Sequence, residues 1–410
     1  MKNIGYIIPE FPGQTHIWMW REISHMREWG VPLTIFSTRR PPAQVRARHA
    51  FADAAEAETI YLWPAPMGRA IASLLWAIVR HPIGFIKAAW MGVTLPVDNR
   101  PATKSVLPLL VPAAMLAHEC ARRDISRLHS HTCSNSAVLC MMVKRILGIP
   151  FSMTLNANIE WWGGAMAEKF ADADFTIAIT QWLLDEMRRD YPGLKPSQAL
   201  LGRIGVDTRQ WVPATQYGSN GQAPGAIRLM TVGRLDTCKG HDDLLRAVKL
   251  LVDSGKDVSL RIAGAGPERE ALEQLRAELG LTDRVQFMGS LPENRVIEEL
   301  KAADLFVLAS HAEPLGVVFM EAMALAVPTI GTAAGGVGEI ISNGSDGLLV
   351  PPKNPAALSV AIATLMSDLA RRKRLGEAGR EKIVREFDSR IGAATLYERL
   401  IGEPSPLRKQ

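Results

Sequence analysis

The stretch that most constrains the fold covers residues 306–339. It begins as an apolar strand, passes through a polar turn at 310–316 and continues as an apolar helix over 317–325. A second short strand at 328–331 follows, and the glycines Gly335 and Gly336 come after it. Strand, helix and strand in this order are typical of a βαβ unit, in which the two strands lie parallel in one sheet.

The same alternation starts twice along the chain. An apolar run at 4–8, a helix that Thr15 can cap and that continues to about residue 29, and a strand at 31–36 open the first half. A strand at 227–232 opens the second half. The segment between the halves, 216–225, is polar and glycine-rich, which is typical of a linker. We therefore predict two doubly wound α/β domains that bind ligands at the carboxyl ends of their strands.

Composition excludes several classes of protein. Hydrophobic residues make up 47% and charged residues 22% of the chain, as in ordinary globular proteins. The net charge of +5 suits phosphate-bearing substrates or an anionic membrane surface, but it is too small and too scattered to predict nucleic acid binding. The four cysteines show no zinc-ligand spacing, and the helix predicted for 133–147 holds two of them. Free thiols in a reducing cytosol are expected.

No targeting or spanning segment is predicted. The first residues read as a core strand rather than a signal peptide, and no apolar run reaches the ~20 residues that cross a bilayer. Residues 67–92 are apolar, carry Arg69, Arg80 and Lys87, and are divided by Pro82. This segment suits either a buried helical pair that covers the sheet or a membrane surface.

Two cations follow the first strand of the second half. Arg234 and Lys239 lie between that strand and the next helix, where helix amides and positive side chains together suit a diphosphate. In the central stretch, Glu313 precedes a helix and Glu321 lies within it. Their separation argues against an acid–base pair acting on one bond, and hydrogen bonds to sugar or ribose hydroxyls fit better.

Other motifs carry weaker signals. The glycine turn at 264–266 lacks the third glycine and the acidic residue of a dinucleotide fingerprint, which excludes a nicotinamide oxidoreductase. His129 and His131 end a strand in the first half. No third ligand accompanies them at convincing spacing, so no metal is predicted. Either a structural role or a substrate contact remains open for His131.

These motifs resemble those of the retaining family-4 glycosyltransferases of GT-B fold. The resemblance rests on the runs 233–240, 313–324, 335–339 and 347–351. In the first half it is looser, and there the runs 11–23 and 146–154 look like bacterial members that build exopolysaccharide or lipopolysaccharide. The resemblance implies two Rossmann-like doubly wound domains facing across a cleft. Residues 1–215 would bind the acceptor, residues 222–387 would bind the nucleotide sugar, and a helix at about 388–410 would pack back on the first domain.

The resemblance also implies roles for individual residues. Arg234 and Lys239 would hold the diphosphate and replace a metal, Glu313 would contact the transferred sugar, and Glu321 would bind the ribose. The amides of Leu315, Gly316 and Val317 at the helix start would lie near the phosphate and sugar, and the backbone near Leu291 would bind the base. Gly13 of the first domain would approach the diphosphate, and His131 would contact the sugar or the acceptor. Asn156 stands where members often carry a histidine, which affects the identity of the sugar more than the reaction.

The expected activity is transfer of a sugar from a UDP- or GDP-linked donor, with retention and without a cofactor or metal, to a glycan or lipid-linked saccharide. The expected setting is bacterial surface polysaccharide synthesis, in the cytoplasm or peripherally at the inner face of the plasma membrane. A nucleotide-sugar 2-epimerase of the same fold, a transferase acting on a small-molecule acceptor, and a non-catalytic nucleotide-sugar sensor are the alternatives.

Overall fold

The structure, a computed structural model, describes residues 3–43, 45–98, 101–214 and 227–409. By internal packing the chain forms two units, Met1–Arg203 with Arg390–Gln410, and Ile204–Ser389. The division thus falls at Arg203 and Ile204, ahead of the predicted boundary at residue 215. The predicted linker, 216–225, lies outside the described residues.

The N-terminal unit contains a seven-stranded sheet in the order β3-β2-β1-β4-β5-β6-β7. All neighbouring strands pair in parallel. The strands are β1 Asn3–Ile8, β2 Leu33–Arg39, β3 Ile60–Trp63, β4 Ile125–Ser130, β5 Phe151–Leu155, β6 Thr176–Ala178 and β7 Ala199–Leu201. The central strand β1 is buried over almost its whole length, as expected for a strand covered by helices on both faces.

Helices cover this sheet and connect its strands. They are α1 Ile17–Glu28, α2 Ala52–Glu58, α3 Met67–Arg80, α4 Pro82–Thr94, α5 Ala102–Ser105, α6 Leu110–Arg122, α7 Asn135–Leu147, α8 Met166–Asp172 and α9 Gln181–Asp190. Short 3-10 helices occupy Leu107–Leu109 and Ile159–Trp162.

The C-terminal unit contains a six-stranded parallel sheet in the order β10-β9-β8-β11-β12-β13. Its strands are β8 Ile227–Val232, β9 Val258–Ala263, β10 Val285–Gly289, β11 Leu305–Val307, β12 Thr329–Thr332 and β13 Leu348–Val350. Its helices are α10 His241–Asp253, α11 Arg269–Glu278, α12 Glu293–Ala302, α13 Val317–Ala324, α14 Val337–Ile340, α15 Pro355–Ser367 and α16 Leu369–Glu386. A 3-10 helix, Thr237–Lys239, follows β8.

The last long helix, α17 Ser389–Ile401, contributes Leu396, Tyr397 and Leu400 to the apolar core of the N-terminal unit. The Trp29 and Tyr397 rings meet edge to face, with centroids 5.7 Å apart. A final 3-10 helix covers Pro406–Lys409. Two separate parallel sheets, each covered by helices, confirm the predicted GT-B class of two Rossmann-like domains.

Several local predictions were wrong. Helix α1 begins with His16 rather than Thr15 at its N-cap, and the His16 ring accepts a hydrogen bond from the Gly13 amide instead. Helix α7 begins only at Asn135, because the Ser134 side chain caps it, so Cys133 precedes the helix. All four cysteines are free, as predicted.

Candidate functional site

An ion pair joins two loops at the carboxyl edge of the C-terminal sheet. Lys239 ends the 3-10 helix after β8, and Glu313 lies in the turn after β11. Strands β8 and β11 are parallel neighbours, so the loops after them meet. The Lys239 ammonium donates to Glu313 Oε2, and the Ser310 hydroxyl donates to the same oxygen over 3.3 Å. The two side chains are only 19% and 7% exposed, so water screens this pair weakly.

Arg234 occupies a more open position on the same loop. Its side chain is 63% exposed, and Nη2 lies 3.1 Å from Asp236 Oδ2. The Asp236 carboxylate also accepts from the Cys238 amide and caps the 3-10 helix that carries Lys239. An exposed pair of this kind contributes little stability. The Arg234 guanidinium is therefore a cation that a ligand can recruit at small energetic cost.

The start of helix α13 presents backbone amides. Gly316 is its N-cap residue, with φ +86°, and no side chain caps the helix. A Cβ at Gly316 would lie 2.6 Å from the Phe319 ring, so a larger residue fits neither the space nor the backbone. The first amides of a helix lack internal acceptors and carry a positive partial charge. The amides near Val317 can therefore donate hydrogen bonds to an anionic ligand. The side chain of the neighbouring Leu315 is buried.

The glycine pair after β12 supports the Glu313 backbone. The Gly336 amide donates to the Glu313 carbonyl oxygen over 2.9 Å. Gly335 has φ +54°, and a Cβ there would lie 2.3 Å from the same oxygen. The second predicted carboxylate, Glu321, is buried on α13 and has interaction partners of its own. The structure thus brings the glycine pair and the polar turn of the central stretch together at Glu313.

Sequence reasoning missed a second link between these loops. His311 Nε2 lies 2.8 Å from Asp243 Oδ2, and the His311 amide donates to the Cys238 carbonyl over 2.8 Å. Gly240 allows this approach, because a Cβ there would lie 2.0 Å from the Ala309 carbonyl oxygen. The glycine directly after Lys239 was the available signal. This link holds the lysine loop against the glutamate turn.

The glycine turn after β9 serves packing. A Cβ at Gly264 would lie 1.8 Å from the Gly233 carbonyl oxygen, and one at Gly266 would lie 2.1 Å from that of Leu235. Both glycines therefore let this turn approach the loop that carries Arg234. Leu291, predicted to lie near the base, is half-buried just beyond β10 in the same unit.

The predicted residues of the N-terminal unit lie at the carboxyl edge of its own sheet. The Gly13 amide donates to His16 Nδ1 over 3.0 Å, and a Cβ at Gly13 would lie 2.9 Å from that ring. His131 is fully buried, with its ring centroid 4.8 Å from that of Tyr6. The Asn156 amide donates to the His131 carbonyl over 3.1 Å. The structure therefore joins Asn156 and His131, which the sequence had placed on successive strand ends.

Glu22, on α1, is a mostly buried carboxyl beside His131 that the site prediction did not include. Its Oε1 lies 3.3 Å from His131 Nε2. Burial raises the pKa of Glu22 to about 8, and burial also lowers the pKa of His131 well below its usual value. Both shifts favour neutral forms, so this is a pair of uncharged groups at neutral pH.

Two groups within the described ranges have donor atoms close enough to surround a metal: Glu22 with His129 and His131, and Asp242 with Asp243 and His311. In the first group, His129 already uses both ring nitrogens, toward the hydroxyls of Ser152 and Thr154. In the second, the His311 nitrogen is engaged by Asp243. A metal at either place would have to displace existing hydrogen bonds.

Comparisons with known proteins agree with this geometry. Residues 216–382 match the family model described as glycosyl transferases group 1. Glycogen synthase of Mycobacterium tuberculosis is 27% identical over 65% of this chain and 66% of its own length. D-inositol 3-phosphate glycosyltransferase of Geodermatophilus obscurus is 34% identical over 55% and 53%. The chain thus spans about half to two thirds of these relatives.

Solved structures share the fold over nearly the whole chain. Sucrose-phosphate synthase from Thermosynechococcus elongatus aligns with a TM-score of 0.75 and 21% identity over 98% of this chain and 100% of its own. The Anabaena protein Alr3699/HepE, solved with UDP and glucose, aligns with a TM-score of 0.74 and 17% identity over 98% and 100%. The chain therefore has the GT-B fold, and its likeness to group 1 glycosyl transferases, which is strongest in the C-terminal unit, supports a glycosyltransferase.

Proposed function

We propose that this protein transfers a sugar from a nucleotide diphosphate sugar to a saccharide acceptor, with retention of configuration at the anomeric carbon. The observation that carries the proposal is the Lys239–Glu313 pair beside the free start of α13. A cation, a buried carboxylate and unpaired helix amides within one turn suit a sugar joined to a phosphate. The UDP and glucose bound by the Anabaena neighbour support a donor of this class.

The pair has two states in this proposal. Without a donor, Lys239 neutralises Glu313, which keeps a buried carboxylate from standing alone. When a diphosphate arrives, it attracts Lys239 and Arg234, and Glu313 then accepts hydrogen bonds from hydroxyls of the sugar. Glu321 accepts from the ribose. The cations take the place of a divalent metal, and they stabilise the negative charge that develops on the departing phosphate.

The transfer balances without a protein nucleophile. The bond between the anomeric carbon and the phosphate oxygen breaks, and the acceptor oxygen bonds to the same face of that carbon. The acceptor proton passes to the leaving phosphate oxygen. The acceptor that we propose is a glycan or lipid-linked saccharide of bacterial surface polysaccharide synthesis, handled at the cytoplasmic side of the membrane. The net charge of +5 favours such an anionic setting.

The test is a thermal-shift screen with UDP, GDP and their common sugar conjugates. A true donor at 100 times its Kd stabilises the protein by about 2.7 kcal/mol. Lys239→Met should lose most of that stabilisation. Lys249→Met, which removes a half-buried lysine paired with the exposed Asp253 on α10, should keep it. If no nucleotide or conjugate shifts the melting temperature, or if both variants respond alike, the proposed donor site is wrong.

Product analysis then identifies the reaction. Incubation of the stabilising donor with saccharide acceptors should yield a glycoside whose anomeric configuration, read by NMR, matches that of the donor. Inversion would contradict the retaining assignment. Release of nucleotide diphosphate with no acceptor consumed would favour the epimerase instead.

A further inference from the structure

Helices α3 and α4 of the N-terminal unit form a V, with axes bent by 116° at the break before Pro82. Within the described ranges, no single helix is long and apolar enough to cross a bilayer. Among those residues, only this bent pair has the required length and apolar character, and only when its two helices are counted together. Helix α3 packs against α6, and α4 packs against α7. Both helices are thus attached to the fold along one side, and the opposite sides decide what the pair can do.

Helix α3 is amphipathic in the inverted sense. Its protein-facing side carries polar contacts beside the buried Ala77: the Ser73 hydroxyl and His118 Nδ1 lie 3.2 Å apart, and an Arg69 nitrogen lies 3.4 Å from a Glu119 oxygen. The Trp76 ring stacks on His118 with centroids 4.7 Å apart. A helix that covers a hydrophobic core places its polar residues outward. Here the polar contacts face the protein.

The outward side of α3 is therefore apolar. Its exposed large apolar residues are Met67, Ile71, Leu75, Ile78 and Val79, spaced at the three- and four-residue intervals of one helix face. Val79 is 74% exposed. Burying one such side chain fully is worth about 1.5–3 kcal/mol, so a partner or surface that covers these five would gain a large apolar stabilisation.

Helix α4 repeats the arrangement through small residues. Gly84, Ala88 and Gly92 face the protein, and a Cβ at Gly84 would lie 2.4 Å from the Arg145 carbonyl oxygen of α7. Met91 is buried beside them, whereas four large apolar side chains point outward. They are Ile83, Ile86, Trp90 and Val93, and Trp90 is 68% exposed. The two helices therefore present one apolar face, which we call the α3–α4 face.

The charges on this segment have one sign. Residues 67–94 include no aspartate or glutamate. Arg80 and Lys87 are exposed beside the apolar residues, and neither carries an ion pair with any residue that the structure describes. Apolar side chains flanked by unpaired cations and an exposed tryptophan match the requirements of a surface that enters an anionic lipid interface.

We propose that the α3–α4 face inserts into the surface of a membrane containing anionic lipids, and so attaches the N-terminal unit to it without crossing it. The apolar residues would enter the boundary between headgroups and acyl chains, to a depth of about 5–10 Å. Arg80 and Lys87 would stay at the level of the lipid phosphates. The bend at Pro82 suits this shallow position, because both helices can then lie in the interface.

A second copy of the chain is the competing occupant. A twofold contact between two α3–α4 faces would bring two sets of Arg80 and Lys87 together. Since the segment holds no carboxylate, nothing on it would neutralise them. Like charges at a contact weaken it, whereas anionic lipids neutralise the same cations. Charge complementarity therefore favours lipid.

The test is flotation of the full chain with two kinds of vesicle. Anionic vesicles contain phosphatidylglycerol and phosphatidylcholine in roughly equal amounts, and uncharged vesicles contain phosphatidylcholine alone. The combined variant Val79→Ser, Ile83→Ser, Trp90→Ser should reduce binding to the anionic vesicles at least tenfold. The double variant Arg80→Gln, Lys87→Gln should reduce it about fivefold per charge at low salt, with little change at high salt.

The matched control substitutes exposed apolar residues elsewhere. Val360→Ser with Leu369→Ser, in the C-terminal unit, should bind anionic vesicles like the unaltered chain. Quenching by brominated lipid supplies a second reading, because Trp90→Phe should lose the part of the quenching that this ring contributes.

Three results would overturn the proposal. They are no binding to anionic vesicles at low salt, equal losses in the control and the triple variant, and a lipid-free dimer that the triple variant abolishes while vesicles do not bind. No nucleotide or sugar is present in these experiments. The membrane inference therefore fails or succeeds independently of the proposed transferase activity.

Discussion

Removing Lys239 should destabilise the C-terminal unit more than removing a surface lysine. Glu313 is nearly buried, and Lys239 and Ser310 supply its charge and hydrogen-bond partners. Deleting one member of a buried ion pair costs about 3–5 kcal/mol. Because the Lys239 side chain retains some exposure, we expect about 2–3 kcal/mol for Lys239→Met. Glu313→Gln should cost about 1 kcal/mol, since the amide oxygen can still accept from Ser310.

The double variant distinguishes this explanation from a simple loss of packing. Lys239→Met with Glu313→Gln leaves no buried charge, so its cost should fall below the sum of the single variants by about 2 kcal/mol. The assay is denaturant unfolding of all three variants beside Lys249→Met, whose exposed pair should contribute at most about 1 kcal/mol. For a unit of this size, each kcal/mol corresponds to roughly 2–4 °C in Tm.

Two results would refute the reasoning. The first is a Lys239→Met variant as stable as Lys249→Met. The second is a coupling energy below about 0.5 kcal/mol, which is the additivity limit for independent sites. Either would mean that solvent screens the pair and that Lys239 does not hold the carboxylate. The donor site would then need another explanation for the burial of Glu313.

Two further predictions concern the backbone at Gly335 and the proton on the Glu22 carboxyl. Gly335→Ala should lower the free energy of unfolding by about 1–3 kcal/mol more than Gly344→Ala. Both glycines have positive φ, but only a Cβ at Gly335 would meet a backbone atom, the Glu313 carbonyl oxygen. Unfolding curves of equal midpoint would contradict this. Glu22, with its pKa raised to about 8, keeps a proton that the unfolded chain loses near pH 4.5. The unfolding free energy of the wild type relative to Glu22→Gln should therefore fall as pH rises from about 5 to 8, by up to about 1.4 kcal/mol per pH unit; a flat difference would show that the carboxyl is solvated.

Much of the fold was predictable because it depends on local patterns of apolar and polar residues along the chain. Short apolar runs separated by helical stretches predicted parallel strands such as β1 and β8, and the division of 67–92 at Pro82 was confirmed as α3 and α4. The start of α1 was not predictable. Thr15 is a good capping residue, but the His16 ring accepts a hydrogen bond from the Gly13 amide, and His16 is the N-cap residue.

The candidate site shows the same limit. The positions of Lys239 and Glu313 after strands marked both as candidate ligand-binding residues, and their roles toward a phosphate and a sugar stay predictions. That they bind each other depends on β8 and β11 being neighbours in the sheet, which no local pattern states. The partner of His131, Glu22, lies on another element and was missed for the same reason.

By itself, the sequence determined the class of fold and where the candidate binding residues lie along the chain, because hydrophobic periodicity and glycine positions are local properties of the chain. It left open whether residues 67–92 were a buried pair or an exposed surface. Only the tertiary structure decided this. Mostly small and polar residues pack against α6 and α7, and nine large apolar side chains of the two helices face outward. Burial depends on which side of a helix meets its neighbours, and composition alone does not specify that side.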